Sequence, residues 1–248
     1  MEKRIAVVTG GIGGLGTEIC KYLARAGRRV IAADLAARAE RVAAFRSEVS
    51  EFGDAIWFEP LNVADADDCH AFVERVAKAH GTVSILVNAA GITRDTSLRK
   101  MTREQWDDVL AVNLGGVFNM CRPVIDGMTA QGFGRIVNIS SVNGQTGQFG
   151  QTNYSATKAG MHGFTMALAR EVARKGVTVN SVSPGYCATS LVMAVPEHIR
   201  NQIVASIPVG RLGEPREIAR TVEFLSADDA GYITGANIPV NGGYFMSF

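Results

Sequence analysis

The chain predicts an α/β fold, a doubly wound parallel sheet with helices on both faces, formed as one domain over residues 1–248. Three observations carry that expectation. Short β-branched runs recur, longer amphipathic stretches alternate with them, and a glycine-rich turn follows the first run. The runs lie at 5–8, 30–33, 56–59, 85–87, 136–139 and 177–182. They are apolar on both faces, as strands of a parallel sheet covered on both sides must be. Helical patterns at 18–26, 37–50 and 66–80 fill the first gaps, and repeated βαβ units are the simplest account of the order. After the sixth run the alternation breaks at "VPEHIRNQIVASIPVGR". An excursion there sits beyond the carboxyl ends of the strands, where open α/β sheets hold ligands, and is expected to form a small lid over residues 190–211. The closing "NIPVNGGYFMSF" supplies a last strand and a tail placed to meet a neighbouring subunit.

Composition removes several functions. With 25 basic and 24 acidic residues the net charge is +1, which gives no field to gather nucleic acid or an anionic membrane. No uninterrupted apolar run approaches the ~18 residues of a membrane span, and the first run is too short for a signal peptide. The expectation is a cytoplasmic protein. Cys20, Cys69, Cys121 and Cys187 are scattered without a Cys-x-x-Cys pair, so they read as reduced packing residues, and no metal site is expected.

The turn "VVTGGIGGLGTEI" places Gly10, Gly14 and Gly16 between the first strand and the first helix. Glycines let the chain turn sharply and bring backbone N–H groups to a pyrophosphate, which a helix N-terminus also attracts. In this position the turn predicts a Rossmann-type dinucleotide site. Asp34 ends the second run in "VIAADLAAR". A carboxylate there accepts hydrogen bonds from an adenosine ribose and repels a 2′-phosphate, favouring NADH, with NADPH possible through Arg38 one turn on; the alternative is that Asp34 caps the next helix. In "NYSATKAG", Tyr154 and Lys158 stand four apart and so share one helix face. The cation can lie near the phenol and ease its ionisation, or the pair can be a half-buried tyrosine with a lysine reaching outward. His162 reads as a packing or interface residue, since no Gly-x-Ser-x-Gly elbow accompanies it.

The glycine spacing, "NAAG" at 88–91, "VNISS" at 137–141, Tyr154-x-x-x-Lys158 and "SPGYCAT" at 183–189 together resemble the short-chain dehydrogenase/reductase superfamily along the whole chain. Within it, "GITRDTSLRKMT", "NISSVNGQTGQFGQTNYSATKAGMHGFTMALA" and "KGVTVNSVSPGY" look like the acetoacetyl-CoA reductases of polyhydroxybutyrate synthesis, with the 3-oxoacyl-carrier-protein reductases as close cousins. The resemblance implies a catalytic tetrad of Asn113, Ser141, Tyr154 and Lys158. It implies a cofactor site of Gly10, Gly14, Leu15, Gly16, Asp34, Asn62, Val63, Asn88, Gly91, Tyr154, Lys158, Pro184, Gly185 and Thr189. Asn88 and Gly91 would wall the adenosine side, Thr189 would hold the nicotinamide carboxamide, and Asn113 would anchor a water leading to Lys158. Asn62 replaces the acidic residue usual at the adenine edge, and Ala89 follows Asn88 where a second asparagine is common.

The stretch between Ser141 and Tyr154 is polar and poor in charge. Gln148 and Gln151 offer amides to a thioester or β-keto oxygen, Phe149 a surface for a short acyl chain, and Tyr186 a wall near the thioester, or these residues only shape the loop. A small acyl-CoA thioester is therefore the expected substrate, with Ser141 and Tyr154 at its carbonyl. Arg94, Arg99 and Lys100 would meet either its phosphates or an acidic carrier. Ala159, Gly160, Gly163 and Ala167 leave room for a second helix, and the resemblance implies a homotetramer.

Overall fold

The computed structural model describes residues 3–246, the Leu191 side chain excepted; Ser247 and Phe248 of the predicted tail lie outside the described residues. Seven strands form one parallel sheet: β1 (Ile5–Thr9), β2 (Arg29–Asp34), β3 (Ile56–Pro60), β4 (Val83–Asn88), β5 (Gly134–Ile139), β6 (Val177–Pro184) and β7 (Asn237–Val240). Their spatial order is β3-β2-β1-β4-β5-β6-β7. The direction of winding reverses between β1 and β4, and that switch point opens a crevice at the carboxyl edge.

Helices α1 (Gly14–Arg25), α2 (Ala39–Glu48), α3 (Ala66–His80), α4 (Arg103–Leu110), α5 (Gly116–Ala130), α6 (Asn143–Thr146), α7 (Thr152–Val172), α8 (Ser190–Met193), α9 (Glu197–Ala205) and α10 (Pro215–Leu225) complete the chain. Two apolar layers hold them to the sheet. On one face Phe72 and Val76 of α3, Val117, Met120 and Val124 of α5, and Met161 and Ala169 of α7 pack against Val7, Leu86 and Ile136. On the other, Ile19 and Leu23 of α1, Phe45 of α2, and Ile218, Val222 and Leu225 of α10 cover Val8, Val30 and Ile85. Each large side chain removed from water contributes about 1.5–3 kcal/mol.

The predicted helix at 66–80 starts where Asp65 accepts from the Asp67 and Asp68 N–H groups. The predicted helix at 18–26 begins earlier, at Gly14, because the glycine turn itself supplies the first helical residues. Between α4 and α5 the helix widens into a π turn, Ala111–Gly115. The excursion predicted at 190–211 folds as α8 and α9, and it is drawn together at its base: Gly213 N–H donates to the Tyr186 carbonyl at 2.9 Å and Ala188 N–H to the Gly213 carbonyl at 2.8 Å. No residue of α9 is buried. On α7, a Cβ at Gly160 would come within 3.1 Å of Leu114, so that glycine serves packing inside the chain, whereas Gly163 faces open space. Among the described residues no helix is long and apolar enough to cross a membrane.

Candidate active site

The glycine turn is built by backbone constraint. Gly10 has φ +65°, and a Cβ there would lie 2.8 Å from the Ala89 carbonyl oxygen, while one at Gly16 would overlap the Gly10 carbonyl. Only glycine satisfies both positions. The chain then enters α1 with no side-chain cap and no acidic residue in the first turn. The N–H groups of Gly14, Leu15 and Gly16 therefore have no intrahelical acceptor and favour an anion. Arg41, which the sequence reading did not single out, braces the turn from α2 by donating to the Ile12 carbonyl at 2.5 Å and to Thr17 Oγ1 at 3.0 Å.

Two adjoining clefts follow the switch point. One, of about 370 Å³, is lined by Gly10, Asp34, Arg38, Asn62, Val63 and Gly91 among others. The Asp34 carboxylate accepts the Leu35 N–H at 2.8 Å and pairs with Arg38 at 3.3 Å. The second cleft, of about 500 Å³, collects Leu15, Ser141, Gln151, Tyr154, Lys158, Pro184, Gly185, Tyr186 and Thr189. A Cβ on Gly14 would reach 3.2 Å from the Thr189 methyl, so the bare glycine keeps a slot open between the turn and that wall. A dinucleotide fits this donor set: free helix N–H groups for its pyrophosphate, a carboxylate for its ribose, and the slot leading into the second cleft.

Ser141 follows β5, and Tyr154 and Lys158 lie in the first two turns of α7. Lys158 is 4% exposed, and its Nζ donates to the Ile139 carbonyl at 2.7 Å. Burial lowers its pKa to about 8. The ammonium sits 5.5 Å from the centre of the Tyr154 ring. The phenol is held above its usual pKa, first by burial, with the Ser141 hydroxyl acting in the opposite sense and Asp95 adding to the rise. The cation does not overcome burial here. Burial outweighs any easing of the Tyr154 ionisation by Lys158, and the phenol is neutral near neutral pH in this structure.

Asn113 projects from the π turn and is fully buried. Its Oδ1 accepts the Ile92 N–H at 2.8 Å, and its Nδ2 donates to the Ile92 carbonyl at 3.0 Å and to Thr157 Oγ1 at 3.3 Å. The amide thus clamps the loop after β4 to α7, and a Cβ on Gly91 would lie 3.3 Å from Asn113 Oδ1 and 3.6 Å from Lys158 Nζ.

Three predicted residues stand elsewhere. Asn88 turns into the core rather than toward the adenosine cleft, because its Nδ2 donates to Asn138 Oδ1 at 2.8 Å across β4 and β5; Ala89, Ala90 and Gly91 form that wall instead. Gln148 and Phe149 lie outside the walls of the second cleft, and Phe149 is 90% exposed. Gly147 and Gly150, with φ of 71° and 80°, carry this short loop outward. Ile92, Thr93 and Asn143 line the cleft without having been predicted, and Val192 lines it from the excursion predicted at 190–211. His162 is half-buried, its Nε2 lying 3.3 Å from Ser183 Oγ. All four cysteines are buried, which raises their thiol pKa values, that of Cys187 to about 11.

The chain matches the family model described as short chain dehydrogenase over residues 4–200. It is 52% identical over 243 residues to a protein of Allochromatium vinosum named acetoacetyl-CoA reductase, covering 98% of this chain and 99% of that one. A Rhizobium meliloti protein of the same name is 53% identical over 245 residues, with 98% and 99% covered. A 3-oxoacyl-[acyl-carrier-protein] reductase of Haemophilus influenzae is 42% identical over 248 residues, the full length of both. By this match, on a sheet of the expected topology, the chain belongs to the short-chain dehydrogenase/reductase family of NAD(P)-dependent oxidoreductases.

Proposed function

We propose that the chain reduces acetoacetyl-CoA to (R)-3-hydroxybutyryl-CoA, with NADH preferred over NADPH, as a step in polyhydroxybutyrate synthesis. The observation that carries this reading is the meeting of Ser141, Tyr154 and Lys158 on one cleft in a chain whose near full-length relatives are named for that reduction. Tyr154 is the general acid: burial keeps its phenol protonated, and the proton passes to the carbonyl oxygen as negative charge develops there. Ser141 donates to the same oxygen and stabilises that charge. Lys158 holds the nicotinamide ribose and, being cationic, favours the phenolate once the proton has left. Asn113 keeps the β4 loop and α7 in register, so that Gly91 and Lys158 face one another. The turn from Gly10 to Gly16 would hold the pyrophosphate, Asp34 the adenosine ribose, Asn62 and Val63 the adenine edge, and Pro184, Gly185 and Thr189 the nicotinamide, whose chemistry is to supply the hydride. The lid over 190–211 closes above the acyl group.

Purified protein given acetoacetyl-CoA and NADH is expected to consume absorbance at the nicotinamide band. Faster turnover of a carrier-linked β-ketoacyl substrate would favour the carrier-protein reductase instead, and no turnover with either would indicate a nucleotide-binding protein without this activity.

Support for NADH is the Asp34 carboxylate in the first cleft. Replacing it with serine removes the repulsion toward a 2′-phosphate and frees Arg38 to meet one. Asp34→Ser is expected to raise the ratio of kcat/KM with NADPH to that with NADH by about tenfold, equivalent to about 1.4 kcal/mol. An unchanged ratio would remove Asp34 from cofactor choice.

The reading extends to a cytoplasmic homotetramer. Phe118 on α5 and Met166 on α7 are 56% and 52% exposed, large apolar groups of the kind that subunit contacts cover. Sedimentation is expected to give about four times the 26.4 kDa of one chain; a species of one chain at micromolar concentration would contradict it.

A further inference from the structure

Gln151 lines the catalytic cleft, which invites reading its amide as a substrate ligand. Its hydrogen bonds say otherwise. Gln151 Nε2 donates to Asp95 Oδ2 at 2.8 Å, and Gln151 Oε1 accepts from Asn143 Nδ2 at 2.9 Å. The Asn143 backbone N–H in turn donates to Ser141 Oγ at 3.1 Å.

The direction of this chain follows from its outer end. A carboxylate only accepts, so Asp95 requires the NH₂ end of Gln151. That leaves Gln151 Oε1 facing Asn143, which must therefore present its own NH₂ group. Asn143 Oδ1 is then left buried with no donor, as the structure has it. At the inner end Ser141 Oγ is occupied as an acceptor by the Asn143 N–H, so its single proton remains to be given elsewhere, toward the Tyr154 side of the cleft. The loops that carry the chain are tied at two further points, Thr96 N–H to the Gly150 carbonyl at 2.8 Å and Asn153 Nδ2 to the Arg94 carbonyl at 3.3 Å.

We propose that Gln151, held by Asp95, is a positioning residue that fixes Asn143 and through it the donor direction of the Ser141 hydroxyl. The inference rests on Ser141 being the donor to the substrate carbonyl. A group that aims a transition-state donor alters kcat, whereas a substrate ligand contributes mainly to KM.

The test uses the full chain with NADH and acetoacetyl-CoA, or whichever β-ketoacyl thioester the wild type reduces. Gln151→Leu is expected to lower kcat about tenfold with KM within twofold and cofactor affinity unchanged. Asp95→Leu is expected to lower kcat about fivefold, and Asp95→Glu, which keeps a carboxylate that only accepts, to recover most of that loss. Asp95 is exposed, so its variants keep the test open if Gln151→Leu folds poorly. A raised KM with unchanged kcat in Gln151→Leu would make it a substrate ligand and overturn the proposal. Equal losses in Asp95→Leu and Asp95→Glu, or a lowered melting temperature that accounts for the rate, would overturn it too. Ser141→Ala separates the two readings. If it retains the wild-type rate, the role of Ser141 itself fails; if it is inactive while Gln151→Leu is not impaired, only the positioning chain fails.

Discussion

Tyr154→Phe is expected to lower kcat by about 10³-fold, close to 4 kcal/mol of transition-state stabilisation, while NADH binds within twofold of its wild-type affinity. The ring remains, so the Lys158 ammonium keeps the aromatic face that it sits 5.5 Å from. What disappears is the transferable proton. Because burial holds the phenol above its usual pKa, it is protonated through neutral pH and available as an acid to the reduction. Asp95 strengthens that state, and the loss of one hydroxyl removes all of it. Single-turnover kinetics with the cofactor titrated separately would check both halves. A rate within tenfold of wild type would exclude Tyr154 as the proton donor.

Lys158→Met is expected to damage binding and turnover together, with kcat down at least about 10²-fold and NADH affinity at least about tenfold weaker. Methionine fills much of the same volume, but it cannot donate to the Ile139 carbonyl that Lys158 meets at 2.7 Å. A buried acceptor left without a donor costs about 1–3 kcal/mol, partly returned by removing a charge that burial disfavours. The sign of the pH dependence follows from the lowered pKa of about 8, against the usual 10.5. Below about pH 8 both folded and unfolded chains hold this proton, and the penalty for burying it is present in full. Between 8 and 10.5 the unfolded chain holds the proton and the folded one has released it, so stability from this group rises with pH by up to about 1.4 kcal/mol per unit. Urea unfolding of wild type across that window is expected to show a rise that Lys158→Met lacks. Over the same range kcat/KM for reduction in the wild type is expected to fall, since the cation is lost. A rate profile flat to pH 9.5 would remove the charge of Lys158 from the chemistry.

Periodicity made the sheet legible, because buried parallel strands must be apolar on both faces, and residues such as Val7 and Val8 feed the two opposite cores. The glycine turn was legible for a similar reason: a missing side chain at Gly10 or Gly16 is itself a backbone constraint. Side-chain direction was not. Asn88 and Gly91 lie only three residues apart, yet the amide of one satisfies Asn138 inside the sheet while the other residue faces the cleft. The i, i+4 spacing placed Tyr154 and Lys158 on one helix face, but it carried no information about the Ile139 carbonyl, which draws the ammonium from another element. Gln151 illustrates the same limit, since its partners Asp95 and Asn143 come from the loop after β4 and from α6. Short polar loops have no period to read, so their hydrogen bonds emerge only with the tertiary arrangement.

The wide turn at Ala111–Gly115 makes this stretch sensitive to its length. Such a turn accommodates one residue more than regular α geometry. Point substitutions around Asn113 leave that surplus in place. Deleting a single neighbour would restore the ordinary winding, swing the asparagine about 100° around the helix axis, and release the strand-end loop it grips. This part of the molecule is therefore vulnerable to the loss of a single residue.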